Sequence, residues 1–315
     1  MNTYLVRGIA VALSEFVLAY FALWLSVACG WTLWAKDPRR LARANGPNFL
    51  YLLQLAPFFL SVFVVLVFAV PAFVRFEPQR GEEEFGLPII FLGCVCLLFL
   101  ALGVWRAATA ILRTRTLVRQ WNGSAHSVQT FAGLPLMETA ADAPPLVVTG
   151  LFRPRLYVSA SASEVLTEQE LARAIAHESA HVRRRDNVRK LLLRLCCVPS
   201  VRPLERQWLA SLELAADAEA VRSRTEALDL ASALVKASKL VSASPDLAMT
   251  FTSEGSELLR TRVERLLSWS DRQSQRPSHA LIYTVASLAA ASLLLWPWYS
   301  ALLLAIHQFS EIIVR

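Results

Sequence analysis

Four runs of this sequence are too long and too apolar to sit on a water-exposed surface. They cover roughly Ile9 to Trp34, Phe49 to Val74, Leu87 to Leu112 and Leu281 to Ile306. Each reaches the ~20 residues that cross a hydrocarbon core as a helix. The chain is accordingly 55% hydrophobic over 315 residues, against roughly 45–50% in soluble domains. The first run is too long for a signal-peptide core and lacks a convincing cleavage site. Trp24, Trp31, Trp34, Trp105, Trp296 and Trp298 lie in or beside the runs, and several are suited to interfacial anchoring. Pro57, Pro71 and Pro297 are positions where a span can kink. Glu15 lies inside the first run and is read as a group near a helix end that reaches the headgroups.

Charge in the connecting segments sets an orientation. Lys36, Asp37, Arg39, Arg40 and Arg43 separate the first two runs, and Arg106, Arg113, Arg115 and Arg119 follow the third. Between the second and third runs acids dominate, with Glu77, Glu82, Glu83 and Glu84 against Arg75 and Arg80. Positive segments stay on the cytoplasmic side. The first loop and the segment after the third run are therefore expected in the cytoplasm of a bacterial-type inner membrane. The amino terminus and the carboxyl-terminal tail are then outside, and Arg7 runs against this trend. The formal net charge of +7 fits such loops, and with no recognition motif beside it no direct nucleic-acid binding is expected. The five cysteines, Cys29, Cys94, Cys96, Cys196 and Cys197, lack metal-ligand spacing and read as small buried hydrophobes.

Residues 113–278 form the polar stretch between the third and fourth runs, long enough for a core of its own. Ser127 to Phe131, Leu146 to Thr149 and Leu156 to Ser159 read as short strands, the last two joined through Gly150 and Pro154. Thr167 and Glu170 make a capping box at the start of a helix, with Leu166 and Leu171 as a hydrophobic staple. That helix carries His177-Glu178-Ser179-Ala180-His181, an HExxH motif. Histidines four apart share one helical face and can reach one metal ion. Glu178 is placed to take a proton from water at that ion. A catalytic zinc needs a third protein ligand. His126, in a predicted loop, is one candidate. Glu213 is the better one, because Glu213 and Asp217 share a face of a second helix that begins near Pro203. Asp217 can then accept a hydrogen bond from a ligand imidazole. The three arginines Arg183 to Arg185 read as a basic face near anionic lipid, and the segment from Ser256 to Trp269 as an amphipathic helix. An oxyanion-stabilising group is not readable; Tyr157 is the one tyrosine in this stretch.

With HESAH, the following Arg183-Arg184-Arg185-Asp186-Asn187, the later Glu213-Leu214-Ala215-Ala216-Asp217 and the earlier Gly150-Leu151-Phe152-Arg153-Pro154, the chain resembles the BlaR/MecR-type membrane metallopeptidases. The resemblance extends over nearly the whole chain. It implies zinc held by His177, His181 and Glu213, Glu178 as general base, Asp217 behind His177, and Asp186 as structural support at the end of the motif helix. The expected fold is a mainly α membrane protein: four transmembrane helices with a cytoplasmic α+β zincin-like (gluzincin) metalloprotease domain between the third and fourth. Residues 1–112 would hold three spans, 113–278 the protease domain, and 279–315 the fourth span with a short external tail. The β-lactam sensors of that family carry a penicillin-binding domain after the fourth span; about ten residues follow it here, so no β-lactam-binding domain is expected.

The function expected is zinc-dependent endopeptidase action on a cytoplasmic or membrane-proximal protein, a transcriptional repressor in a signalling pathway being the substrate the resemblance suggests. Partners are then a protein substrate and membrane lipid. Membrane-protein quality control is an alternative. A non-enzymatic transducer with a vestigial metal site is another, and an intact Glu178 speaks against it. An intramembrane protease is disfavoured because HExxH sits among arginines rather than in an apolar run.

Overall fold

A computed structural model describes residues 3–34, 46–77, 86–123, 126–131, 134–139, 144–151, 154–243, 253–269 and 299–314. They group into two compact units. One holds Met1–Arg106, Leu193–Glu205 and Pro277–Arg315; the other holds Ala107–Leu192 and Arg206–Arg276.

Helices dominate the first unit. They are α1 (Thr3–Trp34), α2 (Pro47–Val64), α3 (Val70–Phe76) and α4 (Leu87–Asn122), with a π-helical stretch Val65–Ala69 joining α2 to α3. Tyr4–Trp34, Pro47–Phe76 and Leu87–Asn122 are three helices long and apolar enough to cross a membrane. For the expected fourth span, residues 281–298 lie outside the described residues. So do Pro297, Trp296, Trp298 and the loop charges around 36–43 and 80–84. Its described part belongs to the last helix, labelled α11 below (Tyr299–Val314).

Pro71 cannot donate a backbone hydrogen bond to the Val67 carbonyl one turn earlier. The Tyr299 hydroxyl donates there instead, at 2.8 Å. Phe16, Val17, Tyr20, Val65, Ala69, Cys96 and Phe99 form the core of this unit. Gly8 lets α1 approach α3, because a Cβ there would stand 2.9 Å from the Phe73 ring. Glu15 is buried and accepts a hydrogen bond from Ser310. Its carboxylate is thus satisfied inside the helix cluster. Arg7, also buried, pairs with Glu77 at 2.9 Å. Trp31 is buried, whereas Trp105 is exposed. Among the cysteines, Cys96, Cys196 and Cys197 are buried, but Cys29 and Cys94 are exposed on apolar helices.

The turn Cys196–Pro199 belongs to this unit too, and three of its helices grip it. Trp24 donates its indole N–H to the Pro199 carbonyl (2.9 Å) and Arg106 donates to the Cys197 carbonyl (2.8 Å). The Cys197 thiol donates to the Gln54 carbonyl at 3.1 Å. Gly103 is required beside it, since a Cβ would lie 2.2 Å from the Leu195 carbonyl oxygen.

The second unit pairs a small sheet with helices. Its strands are β1 (His126–Phe131), β2 (Leu134–Thr139), β3 (Leu146–Thr149) and β4 (Arg155–Ser159), in the spatial order β1-β2-β4-β3. The β2–β4 pair is parallel and the other two pairs are antiparallel. His126 opens β1 rather than lying in a loop. Gly150 takes φ 104° at the end of β3, a backbone state that glycine adopts at no steric cost. Then come α5 (Ala160–Val165), α6 (Glu168–Arg183), α7 (Asp186–Cys196), α8 (Arg202–Ala220), α9 (Arg224–Ala243), α10 (Ser253–Leu267) and, in the first unit, α11. Leu136, Leu156 and Val158 of the sheet pack with Ala162, Leu166 and Ile175, and Ala233 of α9 closes that core. Ala220, Val221, Ala227, Leu230 and Leu266 form a second core between α8, α9 and α10.

Candidate metal centre

α6 starts where the capping box predicts. The Thr167 hydroxyl accepts from the Glu170 backbone N–H (3.3 Å), and the Glu170 carboxylate accepts from the Thr167 N–H (2.8 Å). Lys236 (2.7 Å) and Ser232 of α9 also donate to that carboxylate. Burial would raise the Glu170 pKa, but these donors outweigh it and hold the carboxyl down at about 2. A cap is thereby turned into a tie between α6 and α9. Two turns on, the same helix carries His177 and Glu178, and one turn later His181.

Four elements bring the site together. His177 and His181 face each other with Nε2 atoms 3.2 Å apart. Glu213 of α8 reaches them with Oε2 3.4 Å from His177 Nε2 and Oε1 3.6 Å from His181 Nε2. Ligand atoms of these three residues all lie within 4.8 Å of one another. Asp217, one turn further along α8, stands 2.9 Å from His177 Nδ1. Asp186, fully buried at the start of α7, stands 2.7 Å from His181 Nδ1. Its approach depends on Arg185, which adopts φ 55° between α6 and α7. That left-handed residue reverses the chain within two positions and returns Asp186 towards His181.

Both Nδ1 atoms face carboxylates, which only accept, so both Nδ1 atoms carry a proton and both Nε2 atoms point inward. Two Nε2 atoms 3.2 Å apart, beside the Glu213 carboxylate, form a place for a shared cation, a proton or a metal ion. Burial alone would lower the His181 pKa, but Asp186 and Glu213 overcome it and push the ring up to about 9. His177 is raised as well, Asp217 and Glu213 outweighing its burial. Glu213 is held well below the ordinary carboxylate range despite burial, by both imidazoles and Arg262. Two imidazole nitrogens and one carboxylate, with a carboxylate behind each ring, fit a zinc-class ion.

Arg262 of α10 escaped the sequence reading. Its Nε and Nη2 donate to both Asp217 oxygens, at 2.8 and 2.7 Å. Its Nη1 stands 3.1 Å from Glu213 Oε2. The fork fixes the α8 carboxylates, with Nη2 also 3.4 Å from His177 Nε2. Arg183 and Arg184 also serve this frame. Arg184 donates to the Leu212 carbonyl (3.0 Å), next to Glu213, and Arg183 pairs with Glu219. Tyr157 is buried in the sheet with its hydroxyl donating to Asn122 at 2.8 Å, away from the histidines.

Beside the histidines is a cavity of about 290 Å³, lined by His177, Glu178, Glu213 and Arg262 and otherwise mostly by apolar side chains such as Leu146, Leu230, Leu234 and Leu258. Glu178 makes no hydrogen bond among the described residues and fronts this space. β3, an edge of the sheet, brings Pro145 and Leu146 to the same wall.

A helix carrying HExxH, completed by a glutamate from a later helix, is the arrangement of a membrane-associated metallopeptidase when it accompanies spans of this length. The family described as BlaR1 peptidase M56 matches residues 89–266, more than half of the chain, and the chain belongs to that family. A search of curated proteins found no match.

Proposed function

We propose that this chain is an integral-membrane, zinc-dependent endopeptidase, with residues 113–278 as its protease domain on the cytoplasmic side and a fourth span after it. The convergence of His177, His181 and Glu213, each imidazole backed by a carboxylate and with His177 and Glu213 on the wall of an apolar cavity, is the observation that carries this reading. Zinc held by those residues would supply Lewis-acid activation of water and of the scissile carbonyl. Asp217 and Asp186 hold the two Nδ1 atoms and so direct both Nε2 atoms inward. Glu178 takes the proton of the attacking water and returns it to the leaving amine nitrogen. The outer edge of β3 aligns the substrate backbone by strand addition, and the apolar cavity takes one hydrophobic side chain. Loop charge supports the orientation, and the family supports a protein substrate; a repressor in a signalling pathway is our reading of it.

The test is a Glu178→Gln variant of the full chain in detergent, assayed with fluorescent casein and by metal analysis. Zinc should stay at about one equivalent at this site while cleavage falls by about 10²–10⁴-fold, the range for loss of a general acid–base. Cleavage at the wild-type rate would sink the assignment. In cells the same variant should retain its substrate for identification.

A further inference from the structure

We propose a second cation site, built from Glu77, His307 and Glu311, that takes a divalent transition-metal ion of the zinc class. Potential ligand atoms of these three residues lie within 4.8 Å of one another. All three belong to the first unit: Glu77 directly follows α3, at the end of the second apolar helix, and His307 and Glu311 lie in the second half of α11. His307 and Glu311 are four residues apart and share a face of α11. Glu77 comes from another part of the chain, so the site would join α3 to α11.

Several details make this more than a group of surface acids. The Glu77 side chain is only 6% exposed, and His307 and Glu311 are half-buried. The His307 ring lies on Phe76, with centroids 5.4 Å apart and planes at 30°, which fixes the ring plane. Arg7 holds Glu77 through Oε1 at 2.9 Å. Charge points the same way. α1, α3 with the residue after it, and α11 bring Glu15, Glu77 and Glu311 to the first unit, and the basic residues they carry are Arg7 and Arg75. Arg75 is exposed above the Phe76 ring, whereas Glu15 and Glu77 are buried. Carboxylates at the edge of a low-dielectric region attract a cation. One imidazole with two carboxylates is a donor set for zinc-class ions. The alternative occupant of this negative charge is a proton on His307, and the experiment separates the two.

The probe is Co²⁺, titrated into chelator-stripped full-length protein in detergent and read by its visible absorption. Wild type should bind about two equivalents. His307→Ala, and the near-isosteric Glu311→Gln, should each leave about one. The His177→Ala/His181→Ala double variant should also leave about one, and adding His307→Ala to it should abolish binding. In the double variant, Co²⁺ should raise the thermal midpoint, and it should not do so once His307 is replaced. Absence of binding in the double variant, or an unchanged count in both single variants, would overturn the second site. Failure of the first site looks different: wild type and the double variant would then bind the same amount.

Discussion

At the scale of single residues, the site depends on how the carboxylates are held. Asp217 serves two partners, His177 Nδ1 and the Arg262 fork. Asp217→Asn should weaken zinc binding by about 10–100-fold, the usual cost of losing a carboxylate behind a metal-bound histidine, measured by chelator competition. Unchanged affinity would remove Asp217 from the site. Acid should act on the metal sites as well. In the metal-free state His181 is pushed up to about 9, so zinc must displace a proton at neutral pH. Affinity should rise with pH towards 9 and fall below it, and a flat profile between pH 6 and 9 would contradict this. His177, His181, Glu213 and Asp217 were legible in the sequence because i,i+4 pairs report a helical face directly. Arg262 was not, being 45 positions from Asp217. One signal was present: Arg262 falls on the apolar stripe of Leu258, Leu259 and Leu266, and a charge there requires a buried partner.

At the scale of elements, two contacts decide how helices meet. Glu170 ties the start of α6 to α9, and its carboxyl is depressed to about 2 from an ordinary 4.5. A depressed carboxyl adds stability that is complete above the unfolded-state value and is lost as pH falls from about 4.5 towards 2. Glu170→Gln should therefore lower the thermal midpoint at pH 7 and flatten its decline between pH 5 and 2. An identical acid profile in both proteins would show that the tie carries no stability. Gly103 is the second contact. Gly103→Ala places a methyl group against the Leu195 carbonyl and should destabilise by about 1–3 kcal/mol, as overpacking does, read from thermal unfolding in detergent. The capping box and the strands at 146–149 and 156–159 were legible because they rest on local chemistry. β2 was not, since Pro135 and its short length disguise it, and its pairing with β4 depends on residues some twenty positions away.

At the scale of the whole molecule, three apolar helices make the chain a membrane protein, and the cytoplasmic side proposed for the metal centre rests on loop charge. A cysteine introduced at the exposed Arg222 should react with an impermeant maleimide only in inverted vesicles or after permeabilisation. Labelling of intact cells would reverse the topology. The turn Cys196–Pro199 adds a restriction. It connects α7, which begins with Asp186, to α8, which carries Glu213 and Asp217, yet its own partners are Trp24, Gln54 and Arg106 of the spanning helices. The gene therefore has no pair of cut points that would release the peptidase unit whole. A secreted or water-soluble fragment made for screening would leave this turn with its backbone carbonyls stripped of their donors, and the two halves of the metal centre would hang from it.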